Sequence, residues 1–266
     1  MEPFQKITSR DNPRLVEARK IRDGKVPDKI FVEGQRLVTE VLRSGLNIAA
    51  CFVAEEFRNR ELVKAVAARS EIVELPAKLF ESIADTQSPQ GIVLIAKRPQ
   101  CTLATIESRL AAAPLPVVIY LSEINNPSNL GAVLRTAEAA GVAGIIGSRD
   151  STDVYSTKAL RAAMGASFRL PAVENVVFYD VIEWAGNLEL VTTASSASAE
   201  CTYTQVDWRR PRLLIFGSEA HGLSERQLES VDETVRIPLE NGVESLNLGV
   251  AAGILLFEAK RQTEIV

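Results

Sequence analysis

What the chain lacks narrows its chemistry before any motif is read. It has one histidine, His221, and three cysteines, Cys51, Cys101 and Cys201, far apart and odd in number. A His-rich metal centre is therefore excluded, the cysteine spacing argues against a cysteine zinc site and a disulfide framework, and scattered thiols of this kind are most often plain core residues. No metal is expected. No apolar run reaches the roughly 18 residues that span a bilayer, and Met1-Glu2-Pro3-Phe4-Gln5-Lys6 has no apolar signal core. The expectation is a cytoplasmic protein with no membrane contact. Internal repeats and low-complexity segments are absent. The turn after the strand at residues 117–121 reads Asn125-Asn-Pro-Ser-Asn-Leu-Gly131, without the Gly-x-Gly-x-x-Gly of a dinucleotide fold. There is no Walker lysine, and Phe216-Gly-Ser-Glu-Ala-His-Gly222 is not the Gly-x-Ser-x-Gly of a serine hydrolase. Positive charge is not in excess either, the net being −4. Its distribution says more. Residues 1–36 carry nine Lys and Arg against six Asp and Glu, and residues 115–266 twelve against nineteen, so the surplus of positive charge sits in the N-terminal arm. A solvated helix face explains a surplus of three as well as a nucleic-acid contact does.

What is present suits two modest domains. Pro13 behind capping residues predicts a short helix with Leu15, Ala18 and Ile21 inward and Arg14, Arg19, Lys20 and Arg22 outward. Over residues 29–97, strands at 30–33, 48–54, 72–75 and 91–96 alternate with helices ending at Ser44, Ala68 and Ala84, a small α/β domain of three-layer type. Residues 98–114 read as a linker with prolines at both ends. From residue 115 the alternation restarts. Val117-Val-Ile-Tyr-Leu121 has the unbroken apolar character of a parallel strand buried on both faces. Strands at 144–147, 188–193, 212–216 and 235–238, with helices between, imply a mostly parallel sheet covered on both sides over residues 115–266. In such sheets ligands sit beyond the carboxyl ends of the strands. Three of those ends carry unusual turns, at 121–129, 216–223 and 237–247.

The last helix is expected to open with Ser245 to Asn247 and to be apolar nearly all round. Leu248, Ala251, Ala252, Leu255, Leu256 and Ala259 form one stripe, and Val250, Ile254 and Phe257 a second. A helix of that kind is buried on several sides. Upstream, Gly131, Arg135 and Glu138 share a helix face, and the plain reading of Arg135 is an ion pair with Glu138. His221 beside Gly222 reads as a turn residue.

Three ordered stretches carry a resemblance. Asn126-Pro-Ser-Asn-Leu-Gly-Ala-Val-Leu-Arg135-Thr-Ala, then Leu214-Ile-Phe-Gly-Ser-Glu-Ala-His-Gly-Leu-Ser224 with Asp232 following, then Ile237-Pro238 and Glu244-Ser-Leu-Asn247 before the apolar helix, resemble the three motifs of the SpoU/TrmH family of RNA 2′-O-ribose methyltransferases, of the SPOUT superfamily. Lys158-Ala-Leu-Arg-Ala-Ala-Met-Gly-Ala166 matches the stretch between the first two. Ser9-Arg-Asp-Asn-Pro13 and Phe31-Val-Glu-Gly34 resemble the ribosomal-protein-like substrate-binding domain that precedes many such enzymes. At two positions the chain departs from the family. Asn126 stands where an Asp usually precedes the proline, and Gly249 follows Leu248 where a larger residue is usual and is expected to loosen the helix.

The resemblance implies an RNA substrate-binding domain with a basic arm (1–97), a linker (98–114) and a SPOUT domain (115–266) with a deep C-terminal trefoil knot, a rare exception to normal connectivity. It implies S-adenosyl-L-methionine as methyl donor, S-adenosyl-L-homocysteine as product, and a ribose 2′-hydroxyl of structured RNA as acceptor, ribosomal RNA ahead of transfer RNA. The donor is expected against Thr193, Ala194, Gly217, Ile237, Leu239, Ser245, Leu246 and Asn247. The implied catalytic set is Arg135, Asn129, Glu219 and Asn247. Since a guanidinium stays protonated, Arg135 is expected to hold an RNA phosphate and the developing alkoxide. Arg14, Lys20, Arg22, Lys158 and Arg161 are the expected RNA contacts, and a homodimer through the SPOUT domain is implied as well. The competing expectation is a non-catalytic RNA-binding protein on the same fold.

Overall fold

The computed structural model describes residues 4–264, which divide into two units. The first runs to Gln100 and takes in Tyr155–Phe168; the second comprises Cys101–Val154 and the chain from Arg169 onward. Residues 101–114 thus belong with the second sheet, and the stretch Tyr155–Phe168, between the first and second motifs, belongs with the first unit.

The first unit is built from β1 (Gln5–Lys6), α1 (Pro13–Arg22), β2 (Lys29–Glu33), α2 (Gln35–Ser44), β3 (Ile48–Ala54), α3 (Arg60–Ala67), β4 (Ile72–Leu75), α4 (Ala77–Glu81) and β5 (Ile92–Lys97). Its sheet has the order β1-β4-β3-β5-β2, with β1, β4 and β3 parallel and β5 antiparallel to both β3 and β2. Asn12 caps α1 by accepting the Arg14 N–H at 3.0 Å, and Pro13 fills the first helical position where a missing N–H costs nothing. The inward residues are as the spacing predicts: Leu15, Ala18 and Ile21 are buried with Phe31, Phe52, Phe80 and Val93. Cys51 is also fully buried, and burial alone pushes its thiol up to about 12.

In the second unit α5 (Leu103–Leu110) precedes β6 (Leu115–Leu121), α6 (Pro127–Ala140) and β7 (Val142–Gly147). The helix α7 (Thr157–Ala163) lies in the first unit. Then come β8 (Ala172–Val173), α8 (Phe178–Asn187), β9 (Val191–Ser195), β10 (Arg212–Phe216), α9 (Glu225–Glu229), β11 (Glu233–Val235) and α10 (Leu248–Glu264). The sheet order is β11-β9-β10-β6-β7-β8, and every pairing is parallel. From β6 the chain winds outward through β7 to β8, whereas β10 pairs on its other side with β9. The order therefore reverses between β6 and β10, the place where open α/β sheets leave a crevice. Residues Val117–Leu121 and Leu213–Phe216 are 0–2% exposed, as strands covered on both faces must be. Tyr120 shares that burial, which pushes its hydroxyl up to about 12 while it donates to the Val176 carbonyl at 3.1 Å.

Three boundaries differ from the sequence reading for local reasons. Leu188 and Leu190 look like strand residues, but Glu189 adopts φ +55° and the Leu190 N–H closes back on Ala185 O, so β9 starts at Val191. The last strand ends at Val235, short of Pro238. The last helix begins at Leu248, because Asn247 caps it: its Oδ1 accepts the Gly249 N–H at 2.9 Å and its carbonyl accepts Val250 and Ala251. Ser245 and Leu246 lie in the loop before it.

Candidate active site

Beyond the carboxyl ends of β9 and β10 is a cavity of about 710 Å³. Three loops line it: Ser195–Ser198 after β9, residues 216–223 after β10, and residues 237–247 between β11 and α10. Asn129, at the third position of α6, closes the ring.

The middle loop has the tightest geometry. Ser218 and Gly222 exchange both backbone hydrogen bonds, at 3.1 and 2.9 Å, so five residues double back on themselves. Gly217 sits where the two arms cross, and a Cβ there would stand 2.3 Å from the Gly222 carbonyl carbon and 2.4 Å from the Leu223 nitrogen. Only glycine fits, and its backbone is left bare at the cavity wall.

A chain of side-chain hydrogen bonds ties the three motif regions together. Asn129 Nδ2 donates to Glu219 Oε1 at 2.6 Å, Asn247 Nδ2 donates to Asn129 Oδ1 at 2.8 Å, and Asn247 Oδ1 caps α10. One residue each from α6, the β10 loop and the head of α10 is thus fixed relative to the others, which is the preorganisation a reacting group needs. Asn126 starts this arrangement by capping α6, its Oδ1 accepting the Ser128 and Asn129 N–H groups at 2.9 and 3.4 Å. Asparagine performs that role as well as aspartate does, so the departure at Asn126 costs the helix nothing.

Gly249 does not loosen α10. A Cβ there would stand 2.8 Å from the Ala132 Cβ, and Gly253 faces Thr136, so small residues on α10 bring it close against α6. One stripe of α10 is buried accordingly, at Ala252, Leu255, Leu256 and Ala259. The second is not: Val250 is 50% and Phe257 49% exposed.

Of the residues expected to hold a cofactor, Gly217, Ile237, Leu239, Ser245, Leu246 and Asn247 all line the cavity. Thr193 and Ala194 do not, and both are 0% exposed. The Thr193 hydroxyl is turned into a buried network, donating to Glu233 Oε1 at 2.9 Å and accepting from Arg212, which also pairs with Glu233 and lies 4.7 Å over the Trp208 ring. β9 runs to Ser195, two residues past the expected end, so the chain reaches the cavity at Ser195–Ser198 instead. Those serines were missed, and the small polar run after Ala194 was the available signal. His221 lines the wall too, beyond its turn role, its N–H bonded to Ser218 Oγ at 3.2 Å.

Asn129, Glu219 and Asn247 come together, but Arg135 stands apart. It is exposed on α6, six residues or about 9 Å along the axis from Asn129, outside the lining of the cavity. It does not pair with Glu138, whose carboxylate is held by Arg169 through two bonds of 2.5 and 3.0 Å. Among the described residues Arg135 has no hydrogen-bond or ion-pair partner.

The expected RNA contacts divide. Arg14 is bonded to Gln5 and Glu71, and Arg22 to Asp23 and to the carbonyls of Ser82, Ile83 and Ala84. Arg161 donates to Asp85 at 2.6 Å. Burial alone would raise the Asp85 carboxyl, but its bonds to Arg161 and Thr157 outweigh that and hold it below its ordinary range. Lys20 and Lys158 are exposed and make no ion pair among the described residues. No group of three His, Cys, Asp or Glu side chains among the described residues is placed to hold a metal ion.

An all-parallel sheet whose strand-end loops enclose a ligand-sized cavity defines a ligand-binding α/β domain. Comparison with known proteins narrows this. Residues 116–257 match the model of the SpoU rRNA methylase family and residues 12–94 that of the MRM3-like substrate binding domain, and the chain belongs to the SpoU rRNA methylase family. An uncharacterized tRNA/rRNA methyltransferase of Synechocystis is 33% identical, over 96% of this chain and 93% of its own. The 23S rRNA (guanosine(2553)-2′-O)-methyltransferase RlmP of Bacillus subtilis is 28% identical, over 97% of this chain and 100% of its own. The crystal structure of an AdoMet-bound rRNA methyltransferase from Sinorhizobium meliloti superposes with a TM-score of 0.83 at 28% identity, covering 97% of this chain and 98% of that one.

Proposed function

We propose that the chain transfers a methyl group from S-adenosylmethionine to a ribose 2′-hydroxyl of ribosomal RNA. The observation that carries this is the hydrogen-bond chain Glu219–Asn129–Asn247 at the mouth of the cavity, in a chain of this family. The cavity fits the donor: its volume lies within the roughly 300–1,000 Å³ of small-ligand sites. Its walls alternate apolar side chains (Leu223, Ile237, Leu239, Leu246) with serine hydroxyls and bare backbone at Gly217. Main-chain groups of Gly217, Ile237 and Leu246 would hold the adenine and Ser245 the methionine end, with Ser195–Ser198 in the place first given to Thr193 and Ala194. Glu219 and Glu244 on the rim complement a sulfonium. When bound, the sulfonium supplies a methyl group already activated for attack. The protein must then place the acceptor hydroxyl and stabilise the oxygen as its proton leaves. Asn129, oriented from both sides, positions the hydroxyl. Arg135 binds the acceptor's phosphate from outside the cavity, and the proton passes to that phosphate or to water.

Arg135 lies outside its own chain's cavity, and Val250 and Phe257, at the two ends of the second α10 stripe, are open to water with Ile254 half-buried between them. Both support a homodimer whose second copy covers that stripe and completes the acceptor site. A trefoil knot is part of the same reading: β11 lies at the sheet edge beyond β9, yet α10 packs on α6, so residues 236–247 return across the ends of β9 and β10. The same reading places the enzyme in the cytoplasm. Arg135→Ala is expected to lower methyl transfer to ribosomal RNA by about 100-fold or more with cofactor affinity unchanged by calorimetry. A variant with wild-type turnover would refute the role given to Arg135.

A further inference from the structure

The Phe31-Val-Glu-Gly34 stretch takes no part in the cavity, yet it organises a concave site in the first unit. Glu33 is 7% exposed, and its carboxylate accepts the N–H groups of Asp85 (2.7 Å) and Thr86 (3.3 Å) and the Thr86 hydroxyl. A carboxylate is buried at a cost unless so satisfied, and all these bonds go to one loop, residues 85–91. One position on, Gly34 has φ +100°, and a Cβ there would stand 3.1 Å from Gln90 Oε1. The missing side chain admits Gln90, whose Oε1 accepts the Gln35 N–H at 2.9 Å. Asn59 donates Nδ2 to Gln35 Oε1 at 2.9 Å while its Oδ1 caps α3. Three amides from three segments therefore rim a pocket of about 470 Å³ backed by Phe57 and Phe80. The Nε2 groups of Gln35 and Gln90 make no hydrogen bond among the described residues.

On α4 this pocket adjoins a second hollow, of about 580 Å³, onto which Arg10 and Lys78 open. Neither has an ion-pair partner among the described residues, whereas Lys6, Arg14, Arg22 and Lys29 are each paired with a carboxylate. The charges separate the two hollows. The amide pocket has Glu56 and Glu81 against Arg58 alone, which suits a neutral polar ligand; the other presents two free cations against Glu81.

We propose that the two hollows take one unpaired segment of RNA, with a base read by the Gln35 and Gln90 amides and flanking phosphates beside Arg10 and Lys78. Unpaired bases are recognised through such edge contacts, and amide donors match their carbonyl and ring-nitrogen acceptors. The inference rests on RNA being the substrate and names the residues that discriminate among RNAs. The test uses the full chain and labelled single-stranded homopolymers of A, C, G and U, about ten nucleotides long, titrated at several salt concentrations. The wild type should prefer one base, and Gln35→Ala and Gln90→Ala should each reduce that preference about ten-fold. Arg10→Ala with Lys78→Ala should weaken all four alike and shrink the salt slope by about 1 to 2. Wild-type binding without base preference, or a preference that both amide variants keep, overturns the proposal. Methyl transfer to ribosomal RNA by the wild type, measured alongside, separates that outcome from a failure of the RNA reading, in which neither binding nor transfer occurs.

Discussion

Gly217→Ala is the substitution whose consequence the structure fixes most closely. Its Cβ would meet backbone atoms on the opposite arm of the loop, at 2.3 Å from Gly222 C, 2.4 Å from Leu223 N and 2.6 Å from Gly222 O. No side chain can rotate out of the way, so the arms must part by roughly 0.7 Å even to reach the 3.0 Å that real Cβ contacts keep. Overpacking of this kind costs about 1–3 kcal/mol. Breaking the paired Ser218 and Gly222 bonds adds about 0.5–1.5 kcal/mol each, so the total is on the order of 2–6 kcal/mol. The cost can be met in two ways, and two measurements together capture both. If the loop keeps its closed form, the melting temperature falls by about 2–4 °C per kcal/mol. If it opens, the melting temperature holds and the methyl donor binds at least about 30-fold more weakly, because closure must be repaid on binding. Scanning calorimetry and donor titration of the same preparation would decide. Affinity within three-fold of wild type at an unchanged melting temperature would refute the claim that this crossing shapes the donor site.

Other expectations follow from particular contacts. Gly249→Leu should destabilise the fold by about 1–3 kcal/mol in urea unfolding, since the new Cβ meets Ala132 at 2.8 Å; a neutral or stabilised variant contradicts the close α6–α10 packing. Arg161→Ala should cost under about 1 kcal/mol at neutral pH. The Asp85 carboxyl is held below its ordinary 3.8, so this contribution is complete above that value and is lost as pH falls through the depressed one. Wild type and variant should therefore converge in acid; a gap that widens as pH falls would contradict the pairing. Val250→Glu with Phe257→Glu should yield a sedimenting monomer with donor affinity retained, whereas an unchanged mass would place the interface elsewhere.

Much of this was legible locally. The two-sided strands, the caps at Asn12 and Asn126 and the order of the three motifs are properties of short stretches, and they brought six of the eight expected donor contacts to one cavity. What escaped depends on distant partners. Arg135 and Glu138 are neighbours on α6, but Arg169, thirty-one residues beyond Glu138, takes the carboxylate. Thr193 turned away from the site because Arg212 and Glu233 bind its hydroxyl. Arg14 and Arg22 looked like a free basic face because Glu71 and the carbonyls after α4 are far off in sequence. Gly249 reads as a weakness in sequence because Ala132, the α6 residue packed against it, is far off along the chain.

Methyl transfer to a ribose hydroxyl at this cavity can be measured directly. The full chain, given methyl-labelled S-adenosylmethionine and unmodified ribosomal RNA, should place label in a single 2′-O-methylnucleoside after complete nuclease digestion, and Asn129→Ala should reduce it sharply. Label on a base, or a chain that binds both donor and RNA and transfers nothing, would rule out ribose methylation at this cavity.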